Sequence, residues 1–302
     1  MNEQLIAEIN ELKLKHNAVI LAHYYQSPEI QDIADYVGDS LALSIAARDT
    51  DADLIVFCGV HFMAETAKII SPEKMVILPD LDAGCPMADM VTSEGVIAYK
   101  EAHPNAKVMC YVNSTAAVKA VSDVCVTSTN AQKIAKHYVG EQMLYVPDQN
   151  LGEYLNQQVP GLDLDLWPGH CCIHNNIKVD KVVEMRAKHP NSQLIVHPEC
   201  NPKVVALADF VGSTQALLNY VIASEDTEFI IGTEHGIIHQ MNKQTTGKQF
   251  HLLTDKLVCR NMKKITLDKV AESMRELTNQ IELDEQILID AKRAVDKMLE
   301  LS

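Results

Sequence analysis

The feature that most restricts what this chain can fold into is a threefold internal repeat. Asn17, Asn105 and Asn191 each precede an apolar run, and Asp35, Asp123 and Asp209 each open the segment after it; both series step by 88 and then 86 residues. Self-similarity at a fixed spacing decides architecture ahead of local propensity. In each repeat a buried strand comes first, at 18–22, 107–111 and 193–197. A second strand with its exit turn follows at 34–40, 122–128 and 208–214, then a helix at 41–48, 130–137 and 215–223, and a further strand at 54–59, 143–147 and 229–232. The first repeat adds a helix at 62–70 and a fourth strand at 75–79, and the second a helix at 114–121. Apolar strands alternating with helices predict parallel sheets covered on both faces. The expected fold class is α/β, with three pseudo-symmetric αβα (three-layer) domains whose small parallel sheets surround a central active site. The units read as 16–100, 101–187 and 188–265, closed by helices in 1–15 and 266–302. In the tail Ile287, Ala291, Ala294, Val295 and Met298 share one helical face, and Asp284 is the expected N-cap.

Three thiols follow the same beat. Cys85, Cys171 and Cys259 lie 86 and 88 residues apart, the second inside the loop Trp167-Pro168-Gly169-His170-Cys171-Cys172-Ile173-His174. Local zinc knuckles place their ligands in close pairs, whereas this spacing offers one thiol from each unit to a shared centre. At 302 residues the chain exceeds what one core usually holds. A net charge of −15 disfavours nucleic acid as a partner. No apolar run reaches the length of a membrane span, and no secretory leader pattern is visible, so a cytoplasmic location is expected. In a reducing compartment the eight cysteines are thiols or metal ligands. Cys58, Cys110 and Cys125, in apolar runs, read as packing residues.

Ligands of open α/β sheets bind beyond the carboxyl ends of the strands. There the first unit offers His23, Tyr25 and Ser40, the second Tyr111, Asn113 and Ser128, and the third His197, Glu199, Ser213 and Thr214. One such residue alone is more often a packing group or a helix cap; recurrence at equivalent positions favours a site. Thiolates select an iron–sulfur cluster, zinc or Cu(I). A closed zinc site would draw its fourth ligand from His174 or Cys172, while a cubane on three thiolates keeps one iron open as a Lewis acid. Two other readings stay open on the residues alone: a mononuclear zinc hydrolase using Cys171, His174 and a remote thiol, and a non-enzymatic anion-binding or redox-sensing protein.

The motifs Ile20-Leu21-Ala22-His23-Tyr24-Tyr25-Gln26, Gln31-Asp32-Ile33-Ala34-Asp35 with Gly38-Asp39-Ser40, Phe62-Met63-Ala64-Glu65-Thr66-Ala67-Lys68, Tyr111-Val112-Asn113-Ser114-Thr115, Val126-Thr127-Ser128, Cys171-Cys172-Ile173-His174, His197-Pro198-Glu199-Cys200 and Cys259 near Met262-Lys263 resemble those of the quinolinate synthases. The resemblance spans about residues 16 to 265. It implies three pseudo-symmetric α/β domains around one [4Fe-4S] cluster held by Cys85, Cys171 and Cys259. The implied reaction condenses iminoaspartate with dihydroxyacetone phosphate to quinolinate, with loss of phosphate and two waters. L-Aspartate oxidase or aspartate dehydrogenase would supply the iminoaspartate. Substrate contacts would fall on His23, Ser40, Tyr111, Val112, Asn113, Ser128, His197, Pro198, Glu199, Ser213 and Thr214, and catalytic roles on Tyr25, Tyr111, His197 and Glu199. Two departures stand out. Cys172 is an extra thiol beside the ligand that the family's Cys-x-x-His spacing selects. Arg260-Asn261-Met262 follows Cys259, so the Cys-x-x-Cys pair that some members carry at the last ligand is absent.

Overall fold

The computed structural model describes residues 2–302. Each repeat is the same run of eight elements. The first contains α1 (Asn2–Lys15), β1 (Ala18–His23), α2 (Pro28–Ile33), β2 (Tyr36–Gly38), α3 (Ser40–Asp49), β3 (Leu54–Cys58), α4 (His61–Ile70) and β4 (Met75–Ile77). The second contains α5 (Ser93–Ala102), β5 (Lys107–Tyr111), α6 (Ala116–Ala120), β6 (Val124–Val126), α7 (Ala131–Ala135), β7 (Met143–Val146), α8 (Gln149–Gln158) and β8 (Leu164–Leu166). The third contains α9 (Val179–Lys188), β9 (Gln193–Val196), α10 (Pro202–Val205), β10 (Phe210–Val211), α11 (Thr214–Ala223), β11 (Glu228–Gly232), α12 (Ile237–Gln244) and β12 (Gln249–Leu252). Helices α13 (Leu267–Glu276) and α14 (Glu285–Leu301) end the chain.

The sheets are four-stranded and parallel, with the orders β2-β1-β3-β4, β6-β5-β7-β8 and β10-β9-β11-β12. The α/β expectation therefore holds for all three. The strand order reverses beside the first strand of each unit, the place where sheets of this kind bind ligands.

The aspartates that mark the repeat hold the first two strands of each unit together. Asp35 accepts from the Ile20 amide at 2.8 Å, Asp123 from Val108 at 2.7 Å and Asp209 from Leu194 at 2.7 Å. Each aspartate's own N–H returns to the carbonyl of that same residue, at 2.9, 3.0 and 2.8 Å. A basic side chain from the helix ahead of the first strand meets each carboxylate: Lys13 at 2.5 Å, Lys100 at 3.2 Å and Arg186 at 2.8 Å. The lock satisfies backbone groups just where the chain passes from strand to strand, which a short strand cannot do alone.

Two fourth strands went unread in the sequence, because neither is an apolar run. β8 is Leu-Asp-Leu with its aspartate exposed, and β12 is Gln-Phe-His-Leu, nowhere fully buried. The helices before them are also sparse in apolar residues; α8 buries only Leu151 and Leu155 among large aliphatic side chains. The second strands are shorter than the sequence predicts, since the flanking residues form the lock and the exit loop.

One apolar core runs through the first two units and the C-terminal helices, whereas the third sheet has a separate core on each face. Helix α14 buries Ala291, Ala294, Val295 and Met298 against α4, α6 and β6, and Asp284 caps it by accepting from Gln286 and Ile287. Tyr24 crosses into the third unit's core, and its hydroxyl donates to Gln215 at 2.6 Å.

Replacing Asp123 with Ala should destabilise the protein by about 1–3 kcal/mol, the cost of buried amides losing a charged acceptor. Removing only its partner in Lys100→Met should cost less than about 1 kcal/mol. Urea denaturation of the two variants checks the ordering, and equal losses would show that the ion pair, not the backbone lock, matters.

Candidate active site

The carboxyl ends of the three sheets close on one cavity with a free volume of about 80 Å³. His23, Tyr25 and Ser40 line it from the first unit, Tyr111, Asn113 and Ser128 from the second, and His197, Glu199 and Thr214 from the third. These are equivalents: 23, 111 and 197, then 25, 113 and 199, then 40, 128 and 214 each step by 88 and 86. Cys85, Cys171 and Cys259 line the same cavity. Val112, Pro198 and Ser213 sit in the same loops without lining it. Ser213 instead caps α11, accepting from Ala216 at 3.2 Å, as Asp39 caps α3, accepting from Ala42 at 3.0 Å. Neither Ser128 nor Thr214 is a cap. Ser40 and Thr214 are the first residues of ten-residue helices, where free N–H groups favour an anion. Thr129 ties the three loops together: its hydroxyl bonds the Asp39 carboxylate and lies 2.7 Å from Ser213 Oγ.

Of the carboxylates lining the cavity, Glu234 is paired with Lys263, and Glu199 sits among the histidines and tyrosines. Glu199 is 4% exposed. Burial pushes its carboxyl up, but His197 and His174 nearby, and a hydrogen bond from Tyr111, outweigh that and hold it below the usual range. Burial pushes His23 down to about 3 and His197 to about 4, so both rings are neutral near pH 7. In each, Nδ1 accepts the backbone N–H two residues on, from Tyr25 at 3.1 Å and from Glu199 at 3.3 Å. That leaves the proton on Nε2 and makes both rings donors. Burial, with Glu199 close by, also raises Tyr25 and Tyr111 well above an ordinary phenol, so they stay protonated.

A line of close polar contacts joins these groups. The Tyr25 hydroxyl lies 3.0 Å from Thr214 Oγ1 and 2.7 Å from Thr233 Oγ1. Thr233 Oγ1 is 3.0 Å from His174 Nε2, and His174 Nδ1 is 2.7 Å from Glu199 Oε2, close but poorly aligned for a hydrogen bond. The Tyr111 phenol lies near the Glu199 carboxylate. Thr233 and this role of His174 were missed in the sequence. So were Asp148 and Glu234, which hold two of the cysteine loops: Cys171 N–H donates to Asp148 at 3.0 Å and Cys259 N–H to Glu234 at 3.0 Å. The fully buried Glu234 is also paired with Lys263 at 3.1 Å. A signal existed, for 148 and 234 are 86 apart and each follows the third strand of its unit; the first unit has Val60 there.

The three thiols share one local geometry. The backbone N–H three residues on faces each sulfur, Ala88 at Cys85, His174 at Cys171 and Met262 at Cys259, and at Cys85 and Cys259 the N–H two residues on, Met87 and Asn261, does so too. Burial pushes Cys85 up to about 12 and raises Cys171 and Cys259 as well. Thiols that are costly to ionise alone, yet ringed by donors suited to thiolate, fit a bound metal that supplies the missing positive charge. Cys171, His174 and Glu199 also bring ligand atoms within 4.8 Å of one another. Asn113 Oδ1 is buried on the cavity wall without a hydrogen-bond partner, as a group awaiting a ligand would be. Cys58, Cys110 and Cys125 are fully buried in strands, in keeping with their packing role.

Fold and site together define a class: a three-unit α/β enzyme with a thiol-bearing cavity between its sheets. The family profile described as quinolinate synthetase A protein matches residues 7–300. The chain is 49% identical over 300 residues to a quinolinate synthase of Caldicellulosiruptor saccharolyticus, covering 99% of each chain. It is 47% identical over 294 residues to one of Clostridium perfringens, covering 97% of this chain and 98% of the relative, and 49% identical over 302 residues to one of Desulforudis audaxviator, covering 100% and 99%. The chain belongs to the quinolinate synthetase A family. No helix among the described residues is long and apolar enough to cross a membrane.

Stability should fall as pH drops below about 6.5. His23 and His197 have folded values below the unfolded one, so on acidification only the unfolded chain takes up their protons. Glu199, also lowered in the fold, loses stabilisation in the same direction. His197 alone should cost roughly 3 kcal/mol by pH 4, from a shift of about 2.5 units at 1.36 kcal/mol each. Urea midpoints from pH 7 to pH 4 measure the slope, and His197→Asn should flatten it.

Proposed function

We propose that the chain is a quinolinate synthase of NAD biosynthesis. It would condense iminoaspartate with dihydroxyacetone phosphate to quinolinate, releasing phosphate and two waters, with a [4Fe-4S] cluster on Cys85, Cys171 and Cys259. The observation that carries this reading is the arrival of one thiol from each repeat at a single cavity whose other walls offer donors for carboxylate and phosphate. Membership of the family supports the activity. When bound, such a cluster supplies an open iron position, a Lewis acid for a departing hydroxyl.

The chain's own residues do the rest. Both substrates are anions, and the cavity meets them with donors. The Nε2–H groups of His23 and His197, the hydroxyls of Ser40, Ser128 and Thr214, and the first turns of α3 and α11 bind carboxylate and phosphate oxygens. Val112, Pro198 and Ser213 contribute by shaping the loops that present these groups. Asn113 Oδ1 accepts from an N–H or O–H of the bound molecule. Glu199 is the general base for a carbon-bound proton, being ionised and held among the donors. A proton taken there has a route through His174 and Thr233 to Tyr25, and Tyr111 steadies the carboxylate. The supplier of iminoaspartate would be an L-aspartate oxidase or aspartate dehydrogenase. A cytoplasmic setting suits a protein whose eight cysteines are all free.

Anaerobically purified protein should be brown, carry about four irons and four sulfides per chain, and form quinolinate. Cys85→Ser, Cys171→Ser and Cys259→Ser should each lose the iron, while Cys172→Ser should keep it. A colourless protein with one zinc per chain would overturn the reading in favour of a site on Cys171, His174 and Glu199. Glu199→Gln should keep the iron and lose turnover by roughly a hundredfold or more; near-normal turnover would remove Glu199 from the base role.

A further inference from the structure

A second group of metal-ligating side chains lies in the third unit, outside the central cavity, on the turn before β9, the start of β11 and the middle of the edge strand β12. His189 is the C-cap of α9, Glu228 is the first residue of β11, and His251 is the third residue of the edge strand β12. Each can offer one ligand atom such that all three atoms lie within 4.8 Å of one another. The imidazoles stack with centroids 3.7 Å apart and planes at 19°. His251 Nε2 is shielded from solvent and has no hydrogen-bond partner. Glu228 is fixed by Ser192, whose hydroxyl bonds Oε2 at 3.1 Å.

The repeat shows that the fold does not demand this cluster. By strand register the equivalents of His189, Glu228 and His251 are Lys15, Leu54 and Ile77 in the first unit and His103, Gln142 and Asp165 in the second. Two imidazoles and a carboxylate assemble only in the third unit, which lacks the shared core of the other two.

We propose that His189, Glu228 and His251 bind a divalent ion of the zinc class, with solvent completing the coordination shell. Two imidazole nitrogens and one carboxylate oxygen suit Zn²⁺, Co²⁺ or Ni²⁺ better than the hard ions that prefer oxygen. Imidazole lone pairs lie in the ring plane, and the two rings are stacked at 3.7 Å with planes 19° apart, so one imidazole must turn out of the stack for both to reach an ion at about 2.0–2.1 Å. The ion clips edge strand β12 to β11 and to the turn before β9. It thereby stiffens the unit that carries His197, Glu199 and Cys259 without touching the reacting atoms.

Cobalt titration of the iron-loaded protein under anaerobic conditions tests the site. One Co²⁺ per chain should bind, with visible d–d bands and no thiolate-to-cobalt charge-transfer band. His189→Ala and His251→Asn should each weaken binding by at least about 10–100-fold, since even outer-shell partners of a ligand cost that much. Iron content and quinolinate formation should not change in these variants. Added Zn²⁺ should raise the melting temperature of the parent and not of His251→Asn; Glu228→Gln serves if a histidine variant fails to fold. No d–d spectrum at millimolar cobalt overturns the proposal. A spectrum with a thiolate band that survives in every variant also overturns it, by placing the ion at the cysteines.

Discussion

The structure is arranged around the cost of keeping the buried carboxylate of Glu199 ionised between three sheets. Glu199 is almost fully buried, and a bare charge there would be expensive. Its neighbours remove the cost without adding a second full charge. His174 approaches one oxygen at 2.7 Å, His197 lies 3.5 Å from the same oxygen, and the Tyr111 phenol is close by. Because His23 and His197 are held neutral, they face the cavity as directional donors rather than as diffuse positive charges. Lys263, paired with Glu234 at 3.1 Å, is the cation nearest the cysteine loops, and it makes the Cys259 loop part of the electrostatics of the cavity.

Pseudo-symmetry divides the molecule between scaffold and chemistry. Behind the cavity the units are near copies: the aspartate lock, its basic partner and the strand order recur three times. The cysteine loop is also fastened alike in each, with His61 N–H to Ala83 O at 2.8 Å, Gln149 to Gly169 at 2.9 Å and His235 to Leu257 at 3.0 Å. Facing the cavity the same positions have diverged into Tyr25, Asn113 and Glu199, or His23, Tyr111 and His197. A repeated backbone thus delivers three different side chains to each level of one site. That gives an asymmetric reaction its unlike groups without three unlike folds.

This division governs what could be read from the chain alone. The lock and the thiols obey the period, so strand ends, the three recurring cysteines and about half of the residues lining the cavity are legible in the chain alone. Buried strands such as β3, apolar at every position, were legible for the same reason. β8 and β12 were not, because an edge strand paired on one side needs no apolar run. His174 and Thr233 were opaque as a pair: their link depends on two chain segments 59 residues apart meeting at 3.0 Å. Asp148 and Glu234 were hidden by Val60, which breaks the pattern that would have drawn attention to them.

Cys171 and Cys172 show how register rather than composition picks a functional group. Both are half-buried, both are free, and both line the central cavity. Only Cys171 has its amide tied back to Asp148 and its sulfur met by the amide three residues on. Cys259 repeats this fastening through Glu234 and Met262, and Cys85 repeats the sulfur contact through Ala88. Cys172 instead has its carbonyl bonded by Asn176 at 2.7 Å and also lines an outer groove rimmed by Lys178, Lys181 and Lys256. A thiol shared between two pockets, outside the amide cradle, lacks the preorganisation that its neighbour receives from the fold. Moving the loop by one residue would exchange the two thiols, and the bond between Gly169 and Gln149 that fixes the register is what prevents it.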